Sequence, residues 1–65
     1  MKIIVNHLEQ ELIHAMHLQE LMNLIQPKKP FAISLNGQFV PKEKYTKTLL
    51  AANDQIQIIV PVTGG

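Results

Sequence analysis

Sixty-five residues hold six lysines, no arginine, five acidic residues and no cysteine, for a net charge of +1. That length allows one domain, which buries about 60% of the surface its unfolded chain would expose. The absence of cysteine excludes a disulfide framework, a thiol nucleophile and a thiolate metal site. With one Tyr and two Phe as the only aromatics, there is neither a dense basic stripe nor a stacking platform, so nucleic acid is not expected as a partner. No apolar run approaches a membrane span, and Met1 to Val5 is too short for a secretory signal core. A soluble, cytoplasmic protein with no membrane partner is the expectation.

Lys2-Ile3-Ile4-Val5 is a short apolar run of the kind found in central strands. Asn6-His7 begins a polar turn, and Glu9 to Ala15 is read as a returning antiparallel strand. Its faces are mixed: Glu11, Ile13 and Ala15 share one, Leu12 and His14 the other. From His17 the period changes. Leu18, Leu21, Met22 and Ile25 follow i, i+3, i+4, i+7 and define one face of a helix, opposite Gln19, Glu20, Asn23 and Gln26. Pro27 and Pro30 stop it. Met16 and Met22 read as core filler.

Phe31-Ala32-Ile33-Ser34-Leu35 alternates strictly, with Phe31, Ile33 and Leu35 inward. Asn36-Gly37 is a strong hairpin signal, because type I′ turns need positive φ at both central residues. Gln38-Phe39-Val40 follows and Pro41 ends it. Lys42 to Lys47 reads as a short irregular or single-turn helical crossing anchored by Tyr45, and Thr48-Leu49-Leu50 as a brief edge strand. Asp54 closes the next turn by folding its carboxylate onto local N–H groups. In the last strand Ile56, Ile58 and Val60 face inward, Gln55 and Gln57 outward. Lys28-Lys29 and Lys42, Lys44 and Lys47 are read as solvated loop charges.

The order ββαββ…β, with one crossing helix between two hairpins, places the first and last strands side by side and parallel. The expected fold is α+β, a β-grasp with a mixed sheet of four to five strands over residues 1–62. Residues 63–65 then form a tail. Ile4 and Ile59 are apolar on the outward face; if their strands are neighbours, they form a small docking patch with Val62 at the root of that tail. Thr63, Gly64 and Gly65 have little to pack. Two glycines suit a tail that threads another enzyme's active site and presents the Gly65 carboxylate; a frayed end is the plain alternative.

These residues resemble the ThiS family, ubiquitin-like sulfur carriers of thiamin thiazole synthesis, over the whole chain. The most specific stretch is Leu35-Asn36-Gly37-Gln38-Phe39-Val40-Pro41-Lys42-Glu43, similar to the family's Val-Asn-Gly-Glu-Ile-Val-Pro-Arg. Leu18-Gln19-Glu20-Leu21-Met22 falls where the family has Val-x-x-Leu-Leu, and Asn53-Asp54-Gln55-Ile56-Gln57-Ile58 stands for Gly-Asp-x-Ile-x-Ile. Three positions depart: His17 replaces a helix-capping Thr, a change expected to cost about 1 kcal/mol; Tyr45 stands where Trp is common; Asn53 replaces a Gly. The ending Pro61-Val62-Thr63-Gly64-Gly65 also resembles the MoaD carriers of molybdopterin synthesis, which are usually longer and lack the Asn-Gly-x-x-Val-Pro signature.

The resemblance implies that a ThiF-like adenylating enzyme consumes ATP to activate Gly65. Sulfur from a cysteine desulfurase or another donor then makes a thiocarboxylate there, and a ThiG-like thiazole synthase takes it. On this reading the chain binds no cofactor and is not an enzyme. A ubiquitin-like modifier of lysine amines would share the early chemistry. From another class comes a small metal-binding domain using His7, His14 and His17; no cysteine completes such a set, and three solvated histidines is the simpler reading.

Overall fold

The computed structural model describes residues 1–61; Val62, Thr63, Gly64 and Gly65 lie outside it. β1 (Lys2–Val5) turns directly into β2 (Leu8–Glu11), because Asn6 and His7 adopt φ of 49° and 70° and Val5 pairs with Leu8. This is a two-residue hairpin with both central residues in the left-handed region, which Asn and His enter more readily than most side chains. β3 (Ala32–Leu35) and β4 (Gln38–Val40) are joined in the same way through Asn36-Gly37, at φ of 51° and 86°. β5 (Gln55–Ile59) closes the sheet, whose order is β2-β1-β5-β3-β4. β1 and β5 are parallel and the other neighbours antiparallel. With α1 (Leu18–Ile25) crossing one face, this is the mixed sheet of a β-grasp.

The inner face carries Ile3, Val5, Ile33, Val40 and Ile56, and α1 covers it with Leu18, Leu21 and Met22. Ile3, Leu18, Ile33 and Ile56 are fully buried, each contributing about 1.5–3 kcal/mol of transfer free energy. Leu12, Met16 and Leu50 extend the core at one end, and Tyr45, on a 3-10 helix over Lys42–Lys47, packs into it as anticipated.

Several expectations are corrected. The second strand is Leu8–Glu11, not Glu9 to Ala15. Its partner β1 runs out at Lys2, opposite Glu11; Leu12 then turns inward, its N–H donating to the Met1 carbonyl, and Ile13 is left 97% exposed. Ile25 was expected in the core but is 40% exposed. The helix lasts only two turns: Gln26 enters the left-handed region, its N–H bonding the Met22 carbonyl, and Pro27 follows. Thr48-Leu49-Leu50 is not a strand but a single bridge between Leu49 and His17. Val60 lies past the end of β5 and is 41% exposed.

His17 does not cap through its imidazole, yet the helix start is not left bare. The Glu20 carboxylate accepts the His17 backbone N–H at 3.1 Å and lies 3.2 Å from His17 Nε2. The Glu20 N–H bonds the His17 carbonyl. Half of a capping box therefore survives the loss of a hydroxyl cap.

Candidate functional site

β5 leads towards the C-terminal segment, and its neighbours hold it at both ends. At its start, Asn36 donates its backbone N–H to the Gln55 carbonyl at 2.7 Å and accepts the Gln55 N–H on Oδ1 at 2.9 Å. Asn36 Nδ2 donates to Asp54 Oδ1, while Asp54 Oδ2 accepts the Ala51 N–H at 2.7 Å. The last bond is the local closure expected of Asp54.

Further along β5, strand β1 has already ended. Asn6 takes over its role. Its backbone N–H donates to the Ile56 carbonyl at 2.9 Å, its Oδ1 accepts the Ile58 N–H at 2.7 Å, and its Nδ2 reaches the Ile58 carbonyl at 3.4 Å. One carboxamide thus supplies the donor and the acceptor that a next strand residue would have supplied. On the other side β3 pairs through Ala32 to Ile59. The strand is consequently held to its last residue, Ile59, and Pro61, lacking an N–H, follows two residues later.

The outer face of the sheet is formed by Ile4 on β1, Gln55, Gln57 and Ile59 on β5, Ala32 and Ser34 on β3, and Phe39 on β4. Ile4 and Ile59 do share this face, and their strands are neighbours. They do not form one patch. Ile4 sits opposite Gln55, whereas Ile59 sits opposite Ala32, and four residues of β5 span about 13 Å at 3.3 Å per residue. Ile4 belongs to the start of β5 and is half-buried; Ile59, 48% exposed, belongs to its exit.

The apolar neighbour that sequence reasoning missed is Phe39, 70% exposed and opposite Ser34. The signal was present. Val40 faces inward with Ile33, so strand alternation turns Phe39 outward. The Asn6 and Asn36 side chains were missed as well, although each follows an apolar strand at the same place in its hairpin.

A shallow depression of about 160 Å³ lies between Ile4, Asn6, Ser34 and Gln57, smaller than pockets that enclose a cofactor. His7 sits in the first turn, His14 bonds the adjacent Ala15 carbonyl and His17 flanks the helix. Among the described residues no three His, Asp or Glu side chains converge on a point where a metal would sit. No helix among them is long and apolar enough to cross a membrane. The expected sulfur-attachment position Gly65, the expected tail residues Gly64 and Thr63, and Val62 of the expected docking patch lie outside the described residues.

No curated protein matches the chain in sequence. Its structure is similar to the crystal structure of the thiamine biosynthesis protein ThiS from Geobacter metallireducens, with a TM-score of 0.86 and 19% identity over 100% of both chains. The solution NMR structure of a thiamine biosynthesis protein from the same organism matches with a TM-score of 0.81 and 19% identity, over 100% of this chain and 88% of that one. At that identity the likeness establishes the fold. The ThiS family itself matches residues 3–65, nearly the whole sequence. The chain belongs to the ThiS family.

Proposed function

We propose that this protein is a sulfur carrier for thiazole formation in thiamin biosynthesis, working through the carboxylate of Gly65. The observation that carries the reading is the ThiS family match, which runs through both terminal glycines. A carboxylate is a poor electrophile. A ThiF-like partner would let one Gly65 oxygen attack the α-phosphate of ATP, releasing pyrophosphate and leaving an acyl-adenylate. The terminal sulfur of a cysteine desulfurase's persulfide would displace AMP to give an acyl disulfide. A second thiol would reduce its S–S bond, leaving a thiocarboxylate and a disulfide. A sulfide-level donor would displace AMP and leave the thiocarboxylate directly. A ThiG-like synthase would accept that sulfur. ATP is consumed by the partner; the carrier contributes recognition and delivery and is not itself the catalyst.

The described residues support this division of labour. β5 is anchored by Asn36 at its start and by Asn6 near its exit, so the strand that leads towards the C-terminal segment is fixed along its length. Ile59, with Ala32 opposite it, offers an apolar handle on the outer face at the exit of β5; Phe39 is a second exposed apolar group on that face, two strands away on β4. Ile4 contributes at most a separate contact.

Intact mass tests the proposal. After incubation with ATP, an adenylating enzyme of this family, a desulfurase and cysteine, full-length protein gains the mass difference between sulfur and oxygen. Protein lacking Gly65 keeps its melting temperature and gains nothing. Ile59→Glu folds normally and loads slowly, because a charge is set into the handle. Equal loading of the truncated chain would refute the carrier reading, and a lysine conjugate on denaturing gels would favour a protein modifier.

A further inference from the structure

Lysines are distributed unevenly in this molecule. Five of the six lie between residues 28 and 47, where Glu43 is the only acidic residue. The other acids are placed elsewhere: Glu9 pairs with Lys2 at 3.1 Å and Glu20 faces His17. Among the described residues none of the five clustered lysines pairs with a carboxylate. Their charge is therefore available to a partner.

Two of them, Lys29 and Lys42, border an open groove of about 750 Å³ between α1, the α1–β3 connection and the 3-10 helix. Met22, Phe31 and Tyr45 form its apolar floor, and no carboxylate lines it. The Tyr45 hydroxyl is protonated at neutral pH, as a tyrosine ordinarily is, and burial pushes its pKa further up, so it can donate to an acceptor. The groove shares no lining residue with Ile4, Ile59 or Phe39. It opens on the helix side of the sheet, away from the handle on the outer face.

We propose that this groove is a second docking surface, for an acidic segment of a protein partner that carries an apolar anchor between carboxylates. The floor takes the anchor, by the area it removes from water. Lys29 and Lys42 take the flanking carboxylates, and the Tyr45 hydroxyl donates to one acceptor. Charge complementarity selects the partner: a basic or neutral segment would leave both lysines at the groove without a counter-charge. Because the two surfaces are separate, a partner held here leaves the outer face accessible. The proposal does not depend on the fate of Gly65.

A labelled synthetic peptide with a central Leu-Phe pair flanked by glutamates is the probe, with its glutamine-flanked counterpart as control. Titration into isotope-labelled protein should move the resonances of Met22, Phe31 and Tyr45 and leave Phe39 and Ile59 unmoved. The glutamate peptide should bind about tenfold more tightly than the glutamine one, and the margin should shrink as salt rises. Lys29→Glu with Lys42→Glu should remove that margin while the melting temperature holds, since both side chains are exposed. Tyr45→Phe, which keeps the ring in the core, should weaken binding a few-fold. Equal binding of the two peptides overturns the proposal, as does no binding at millimolar peptide or a perturbation centred on the outer face. Stronger displacement of the groove resonances by single-stranded oligothymidylate would overturn it too, in favour of a nucleic-acid site.

Discussion

The two hairpin turns are built alike and differ at one position. In each, an Asn follows the last strand residue, takes positive φ, and grips β5 with both its backbone N–H and its side-chain oxygen. The second turn residue is Gly37 in one and His7 in the other. Gly37 occupies φ of 86° without strain. His7 holds φ of 70°, where a Cβ crowds the backbone. The grips also differ in what backs them. Asn36 works where β3 is already laddered to β5 through Leu35 and Ile56, so its carboxamide reinforces. Asn6 works beyond the end of β1, where β5 has no other partner on that side, so its carboxamide replaces a missing strand residue. The same side chain in the same turn is therefore more critical where backbone pairing has stopped.

Asn6→Ala should break this comparison most strongly. It removes two bonds to Ile58 and a residue that tolerates positive φ, for a loss of about 1–3 kcal/mol in denaturant unfolding. Hydrogen exchange at the Ile58 amide should accelerate beyond what the global loss explains. An unchanged Ile58 amide would show that the carboxamide does not hold β5.

Asn36→Ala should cost less, about 1–2 kcal/mol, since the β3–β5 ladder persists behind it. Exchange should quicken at Gln55 and not at Ile58. If this variant proves the more damaging of the two, the contrast between reinforcing and replacing is wrong.

The second turn position gives the smallest effects, with opposite signs. Gly37→Ala should lose about 1 kcal/mol from backbone strain alone, because an added Cβ at Gly37 meets nothing within 4 Å. His7→Gly should gain about half a kcal/mol, relief of strain being partly offset by a freer unfolded chain. Matching signs in the two melts would mean that the turns are not equivalent.

Local pattern carried much of this fold. Period-two alternation in Phe31 to Leu35, the helical spacing of Leu18, Leu21 and Met22, and Asn36-Gly37 each had one reasonable interpretation, because backbone geometry repeats with the side chains. Where the reading failed, the deciding contact was distant in sequence. Glu9 to Ala15 could alternate indefinitely, but a strand ends with its partner, and β1 supplies only Lys2 to Val5. Ile25 fits the helical stripe, yet two turns suffice to cross the inner face and Gln26 ends the helix. Ile4 and Ile59 were correctly assigned to one face; strand register then set them too far apart to act together.

By itself, then, the sequence determined the two hairpins, the helix and the last strand, the inward side of β1, β3 and β5, and the family that the chain belongs to. The elements and their inward faces follow from periods of two and 3.6 residues and from turn chemistry, which need only neighbours along the chain; the family follows from the motifs shared with it. Tertiary structure alone decided how far each strand runs, that Ile4 and Ile59 sit at opposite ends of β5, and that Asn6 stands in for a strand. It also brought Lys29 and Lys42 to the border of one groove from either side of a hairpin. All of these depend on register and on closing the sheet around β5, and hydrogen bonds between residues far apart in the chain set both.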